Sequence, residues 1–252
     1  MIYELTNQSI LSFLLILFRI GAIVMLMPIL GDNRISVRVR MAVIIALSLV
    51  IAPLVESQLP TIPNEPLRLV NIGISEVVIG LIIGGLMRFT MMATQVAGTV
   101  IAFQLSLGFV TSVDPTQGVQ GALLGSFLSL VATVLIVTTG LHHILIAALY
   151  DSYSIFPPGE LPNLGDTTQL ALKMISDAFI IGVRLSAPFL VFGMVFYAGL
   201  GIISRLMPQV QIFFIAIPAN IWAGLMLLAL LLGVMMENYM TYLEAEFIQF
   251  TQ

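Results

Sequence analysis

Six long apolar runs dominate this chain and decide what it can fold into. They lie at about residues 9–30, 37–55, 69–89, 119–149, 174–203 and 211–236. A helix needs about 20 mainly apolar residues to cross the hydrocarbon core of a bilayer, so each run is close to or above the required length. Only 9% of the residues are charged, against roughly 25% in a typical soluble domain. The sequence therefore predicts an all-α integral membrane protein that forms one compact membrane domain, 1–252.

Composition and motifs exclude several classes of function. The sequence contains no cysteine, which excludes disulfides, thiolate metal sites and cysteine nucleophiles. It has no block of like charges of the kind that binds nucleic acid, and no P-loop, nucleophile elbow or zinc-protease motif. His142 and His143 are adjacent and point about 100° apart on a helix, so they cannot hold one metal ion together. We therefore expect no catalytic residues, no cofactor, no metal and no nucleic-acid partner.

The charged residues between the runs differ in sign from loop to loop. Arg34, Arg38 and Arg40 lie between the first two runs, whereas the loop before the fifth run and the C-terminal tail are acidic. Basic loops of membrane proteins face the cytoplasm. The pattern predicts a cytoplasm-facing basic turn at these three arginines and both termini on the periplasmic side. That orientation also requires a weaker seventh apolar segment, at about 91–113, not to cross the membrane fully.

A polar stretch, "FQLSLGFVTSVDPTQG" (103–118), ends this seventh segment. Five residues are expected to break the segment: Gln95, Gly98, Gln104, Ser106 and Gly108. Glycine adopts backbone conformations closed to other residues, and Pro115 disfavours helix at Asp114. Non-helical backbone at membrane depth persists only where protein buries it or water reaches it. The stretch therefore predicts a broken, re-entrant segment held between helices.

Four ionisable residues fall inside the apolar runs, namely Arg19, Glu76, Asp177 and Arg184. A charge at the centre of a bilayer costs about 2.5–3.5 kcal/mol on insertion scales, so these side chains should face protein or water. Lys173 and Asp177 are four residues apart and are able to pair on one helix face. The pattern favours structural pairing between helices or subunits, and a transport pathway or proton relay remains the alternative.

Two motifs place small residues four apart. "GLIIGG" contains Gly80 and Gly84, and "GALLGS" contains Gly121 and Gly125. This spacing lets the backbones of two membrane helices approach closely. Both motifs predict close helix packing, either within the chain or against other subunits.

Three stretches resemble the FliR/SctT family of type III export-gate proteins. They are "RIGAIVMLMPILGDNRISVRVRMAVIIALSLVIAP" (19–53), "FQLSLGFVTSVDP" (103–115) and "RLMPQVQIFFIAIP" (205–218). The resemblance implies helical hairpins, with a FliP-like part at about 1–200 and a FliQ-like hairpin completed by about 201–252. It also implies assembly with FliP and FliQ into a closed helical cone, near FlhB and FlhA, in lipid of the bacterial inner membrane at the flagellar basal body.

The same resemblance implies a role for the central stretch. The family's pore plug corresponds here to Ser106, Leu107, Gly108, Phe109, Val110, Thr111, Ser112, Val113, Asp114 and Pro115. The plug obstructs a channel for unfolded export substrates until a substrate displaces it. Two alternatives are an export subunit of a virulence injectisome and a stand-alone transporter of small molecules.

Overall fold

The protein folds as α-helices joined by turns in this computed structural model, which describes residues 2–32, 34–59, 65–107, 120–207 and 212–250. The eight α-helices of these residues are α1 (Ile2–Leu26), α2 (Val37–Val55), α3 (Pro66–Thr90), α4 (Met92–Gln104), α5 (Gln120–Thr138), α6 (His142–Ile155), α7 (Leu164–Leu206) and α8 (Ile212–Ile248). A short 3₁₀ helix, Glu56–Gln58, follows α2. No strand occurs within the described ranges, and the prediction of an all-α fold is confirmed.

Three helices begin at residues that suit a helix N-terminus. Ser36 precedes α2, and its hydroxyl accepts a hydrogen bond from the backbone N–H of Val39. Pro66 is the first residue of α3, a position that needs no backbone N–H. Asn163 precedes α7, and its side-chain oxygen accepts from the N–H of Gly165 at 3.0 Å. Local sequence therefore places these three boundaries.

Among the described residues, five helical stretches are long and apolar enough to cross a membrane. They are Ser9–Leu26, Val37–Val55, Pro66–Gln104, Leu164–Leu206 and Phe214–Ile248. A sixth arises if α5 and α6, which meet at a short break, count as one broken span. The prediction of an integral membrane protein is thereby confirmed.

The structure corrects two predicted runs. The run at 9–30 is helical only as far as Leu26, because Pro28 disfavours helix at the residue before it. The run at 119–149 is not one helix, since α5 and α6 are separated by residues 139–141. Gly140 has a φ of 81° in this break, a left-handed conformation that glycine adopts without a steric cost.

The predicted breaks at Gln95 and Gly98 are also wrong. The helix α4 continues through both residues to Gln104. Gln is a good helix former, and a glycine inside a helix costs only about 1 kcal/mol relative to alanine. At Gly98 this cost is offset by a close contact with α5, described below.

The chain divides into two compact units, each built from separate stretches of sequence. Unit 1 comprises Met1–Thr90, Val137–Met174 and Glu244–Gln252, and unit 2 comprises Met91–Ile136 and Ile175–Leu243. In unit 1, α1 packs against α2 and α3. Each unit contains its own fully buried apolar residues and its own buried polar residues.

Candidate functional site

Most of the predicted plug falls on residues that lie outside the described ranges. Ser106 and Leu107 are described, whereas 108–115 are not. The structure therefore describes the base of this segment, the point at which the chain leaves α4.

The chain leaves α4 in an unusual backbone conformation. The N–H of Leu105 donates to the carbonyl of Ile101 at 3.0 Å and so closes the last turn of the helix. Ser106 then adopts a φ of 59°, in the left-handed region that residues other than glycine rarely enter. The chain changes direction here.

Side chains of α7 and α8 hold this turn. The Nδ2 of Asn220 donates to the backbone carbonyl of Gln104 at 2.9 Å and to the hydroxyl of Ser106 at 2.8 Å. The hydroxyl of Ser106 also lies 2.9 Å from the hydroxyl of Tyr197. Asn220 is fully buried. The base of the predicted plug is thus bound to two other helices of unit 2.

A second polar cluster lies in unit 1, where Arg19 of α1 forms a salt bridge with Glu76 of α3. The Nε of Arg19 lies 2.5 Å from one carboxylate oxygen of Glu76, and Nη2 lies 3.0 Å from the other. Both side chains are completely buried. The pairing is bidentate, a geometry that gives strong and directional hydrogen bonds.

The remaining hydrogen-bonding groups of this pair are also engaged. Arg19 Nη1 donates to the carbonyls of Ser152 and Phe156, each at 2.9 Å. The N–H of Gly159 donates to Glu76 at 3.0 Å, and the guanidinium of Arg19 stands 4.2 Å over the ring of Tyr153. The pair therefore fastens α1 and α3 to the end of α6. Because both charges are enclosed and matched, this geometry favours structural pairing over a proton relay.

The three charges of α7 are placed differently. Lys173 and Arg184 are exposed, Asp177 is half-buried, and none of them forms an ion pair within the described part of the chain. The structure therefore does not bring Lys173 and Asp177 together, although their spacing allows it. Side-chain entropy opposes an ion pair between an exposed and a half-buried side chain, and such a pair gains little in return.

The basic turn between α1 and α2 contains one buried and two exposed arginines. Arg40 is buried, and its Nη2 donates to the carbonyl of Asp32 at 2.7 Å. Arg34 is exposed and lies 3.4 Å from the carboxylate of Asp32, and Arg38 is exposed. Arg40 thus stabilises the turn, whereas Arg34 and Arg38 present positive charge at the surface.

Two glycines of the first motif lie against α1. A Cβ atom at Gly80 would stand 2.6 Å from the carbonyl oxygen of Arg19, and one at Gly84 would stand 2.8 Å from that of Ile23. The helices α1 and α3 therefore approach closely at this motif, within the chain. Gly121 stands at the start of α5.

Gly125 of the second motif faces Gly98 of α4. A Cβ at Gly98 would collide with the backbone of Gly125 and stand 2.7 Å from the carbonyl carbon of Leu124. Gly98 was expected only to break the helix, and its packing role was not predicted. The signal was present, because Thr94 and Gly98 form another pair of small residues four apart.

Asn220 and Tyr197 are the other residues that sequence reasoning missed. Asn220 is a polar residue inside an apolar run, which marks a position that needs a partner. Its partner on α4 is 116 residues away, so spacing does not identify it.

No cluster suited to a metal ion is present in the ranges that the structure describes. Those residues contain no group of three or more His, Asp or Glu side chains able to hold an ion. The rings of His142 and His143 stack with their centroids 4.1 Å apart.

Known proteins resemble the chain over most of its length. A family model described as "Bacterial export proteins, family 1" matches residues 10–245. The chain is 39% identical over 219 residues to the flagellar biosynthetic protein FliR of Caulobacter vibrioides, covering 87% of each protein. It is 29% identical over 234 residues to FliR of Escherichia coli, covering 91% of this chain and 88% of the relative. The Yop proteins translocation protein T of Yersinia pestis is 25% identical over 241 residues, covering 94% and 92%.

Proposed function

Because the chain belongs to family 1 of the bacterial export proteins, we propose that it is a core subunit of the flagellar type III export gate. In this role it helps to form and to plug the channel through which unfolded flagellar proteins cross the inner membrane. The observation that carries the proposal is the extent of the family match, residues 10–245, which reaches every described helix and includes the segment at 106–115.

The proposed gate works by excluding water from a narrow channel. The apolar side chains of Phe109, Val110 and Val113 close the channel to ions, because a hydrophobic constriction dewets. Gly108 and Pro115 flank these side chains and let the segment move aside when a polypeptide enters. The sequence contains no nucleotide-binding motif, so another component supplies the energy. The subunit has no catalytic role in this proposal.

The proposed partners are FliP and FliQ, in a hetero-oligomeric cone with FlhB and FlhA nearby. In support, large apolar side chains of α7 and α8 are exposed along the chain: Met194, Val195, Phe214, Trp222 and Leu230. Apolar faces of this extent contact lipid or other subunits. Residues 1–200 form the FliP-like part in this proposal, and 201–252 complete the FliQ-like hairpin.

The orientation belongs to the same proposal. Both termini point toward the periplasm, and the turn that carries Arg34, Arg38 and Arg40 faces the cytoplasm. The exposed charges of Arg34 and Arg38 support this side as the basic one. An injectisome subunit is the second candidate, supported by the likeness to the Yersinia protein; the higher identity to the Caulobacter relative favours flagellar use.

Affinity purification in mild detergent tests the proposal together with the interpretation that Arg184, which is exposed on α7, forms a charge pair with another subunit. The tagged chain should bring down FliP and FliQ in constant proportion. Arg184→Leu should reduce their recovery more than tenfold, because removal of one member of a buried charge pair between subunits costs about 2–5 kcal/mol. Arg68→Leu is the matched control, since Arg68 is an exposed arginine in the first turn of α3 and lies beside Glu65.

Three outcomes of this purification are informative. Normal recovery with Arg184→Leu would exclude an interface at this charge and leave the gate proposal intact. Equal losses with Arg184→Leu and Arg68→Leu would show a general effect of charge. A chain that purifies alone and transports a small solute as a monomer would contradict the gate itself.

A further inference from the structure

Two helices of unit 2 contact the base of the plug segment, and each does so with the same two kinds of residue. On α7, Gly193 and Tyr197 are four residues apart, and on α8, Asn220 and Gly224 have the same spacing. Residues four apart lie on one face of a helix. Each helix therefore presents one glycine and one polar residue to the end of α4.

The two glycines admit the side chains at the end of α4. A Cβ atom at Gly193 would collide with the side-chain oxygen of Gln104, and a Cβ at Gly224 would collide with the side chain of Leu105. Leu105 is completely buried. The ends of the Gln104 and Leu105 side chains therefore occupy the space that a side chain at Gly193 or Gly224 would need.

The two polar residues bind the backbone and the hydroxyl group at the same place. An amide Nδ2 has two protons, and its two nearest acceptors are the Ser106 hydroxyl at 2.8 Å and the Gln104 carbonyl at 2.9 Å. The Tyr197 hydroxyl is farther from Asn220, at 3.4 Å, and lies 2.9 Å from Ser106. Asn220 thus satisfies a carbonyl at the C-terminus of a helix, where no intrahelical partner exists.

The backbone conformation of Ser106 depends on these contacts. A serine in the left-handed region is uncommon, and a strained residue persists only when its surroundings hold it there. The hydroxyl group of Ser106 has two hydrogen-bonding partners, Tyr197 and Asn220. Asn220 is completely buried, and hydrogen bonds are strong in a buried environment. The direction in which the chain leaves α4 is set at this residue.

We propose that Asn220 and Tyr197, with Gly193 and Gly224, form a clamp on Gln104–Ser106 that positions the plug segment and favours the closed gate. This inference rests on the proposed function, because it assigns a control point to the same segment. The clamp holds the chain where the segment begins, and a substrate that displaces the segment must act against it. Weakening the clamp therefore shifts the gate toward its open state without any change in the plug residues themselves.

The experiment measures ion leakage across the inner membrane of cells that carry the full export complex. Asn220→Leu removes the Nδ2 group, which donates both hydrogen bonds, while the volume of the side chain stays nearly constant. It should raise the leak about tenfold. Tyr197→Phe removes one hydroxyl from a ring that is 45% exposed, so the fold is retained, and should raise the leak a few-fold. Tyr197→Phe combined with Ser106→Ala should leak hardly more than Ser106→Ala alone, because Ser106→Ala already removes the 2.9 Å hydrogen bond and only the longer one from Asn220, at 3.4 Å, is lost in addition.

Matched controls come from the same chain. Asn238 lies on α8 and is exposed, and among the residues that the structure describes it donates only to the carbonyl of Val234 in its own helix, so Asn238→Leu should leave the leak unchanged. Tyr150→Phe is the control for the exposed tyrosine. Recovery of FliP and FliQ is measured with each variant. Normal recovery with a raised leak indicates a gate that opens more easily, whereas reduced recovery indicates the failure of assembly that a purely structural role would produce.

A deletion of residues 108–114 distinguishes this inference from the proposed function. A leak in the deletion variant with none in Asn220→Leu and Tyr197→Phe would overturn the clamp and leave the plug in place. No leak in the deletion variant would overturn the plug and the clamp with it. If the complex with Asn220→Leu does not assemble, the ion leak of Tyr197→Phe and of Ser106→Ala tests the clamp instead. A leak as low as that of the unchanged chain in both variants would overturn it.

Discussion

Replacement of Arg19 by methionine should strongly reduce the amount of folded protein in the membrane. Removal of one member of a buried ion pair costs about 3–5 kcal/mol, because the other charge remains buried without its partner. A loss of this size is a large part of the roughly 5–15 kcal/mol that stabilises a typical domain. Within the described part of the chain, Glu76 would keep only its hydrogen bond from the N–H of Gly159. The measurement is the amount of protein in the membrane fraction, together with its thermal unfolding in detergent.

A double variant tests the reason for this loss. Arg19→Met combined with Glu76→Leu removes both charges and should recover much of the folded protein, since apolar replacements of a buried pair are often close to neutral. The carbonyls of Ser152 and Phe156 would still lose a donor, so recovery should be incomplete. A double variant no more abundant than Arg19→Met alone would show that the unpaired carboxylate is not the cause.

The matched control is the exposed pair of Arg68 and Glu65. Its side chains are 3.1 Å apart, and both are 72% exposed. Ion pairs at exposed sites contribute about 0–1 kcal/mol, so Arg68→Met should leave abundance and unfolding nearly unchanged. A large loss with this variant would mean that charge removal itself impairs insertion, whatever the burial.

Substitution of Gly98 by alanine should have the second largest effect on the stability of the fold. The added methyl group would meet the backbone of Gly125 and the carbonyl carbon of Leu124, and neither is able to rotate away as a side chain would. The helices α4 and α5 would have to separate, at a typical cost of about 1–3 kcal/mol for an overpacked contact. We expect a lower unfolding temperature in detergent and reduced recovery of the complex.

Gly233 provides the control for Gly98. It lies within α8, and a Cβ there has no atom within 4 Å. Gly233→Ala should therefore stabilise the helix by up to about 1 kcal/mol through propensity alone. If Gly98→Ala behaves like Gly233→Ala, the close contact of α4 with Gly125 is absent in the membrane.

The helices could be predicted from the sequence because a membrane imposes a minimum length on an apolar helix. The same criterion failed at Gly140, since apolar residues continue on both sides of the break and hide it from a hydropathy pattern. The prediction of a break at Gly98 failed for another reason. The tertiary contact with Gly125 outweighs the low helix propensity of glycine.

The candidate sites were only partly accessible to sequence reasoning. Charged side chains in an apolar run need partners inside the protein, so Arg19 and Glu76 were each expected to have one. They are 57 residues apart, and a helical spacing therefore does not identify them as a pair. The proposed clamp depends on contacts of Asn220 and Tyr197 with the distant end of α4, which only the folded chain brings together. The plug assignment came from the resemblance to a family, and it remains a proposal.

The most direct test of the gate is the conductance of the assembled complex in a lipid bilayer, with and without residues 108–114. The complex with the intact chain should be nearly impermeable to small ions when no substrate is present, because apolar side chains close the channel in the proposed gate. The complex that lacks these residues should conduct steadily, while FliP and FliQ are still recovered in normal amounts. Equal, low conductance in both complexes would contradict the central claim that this segment plugs the export channel.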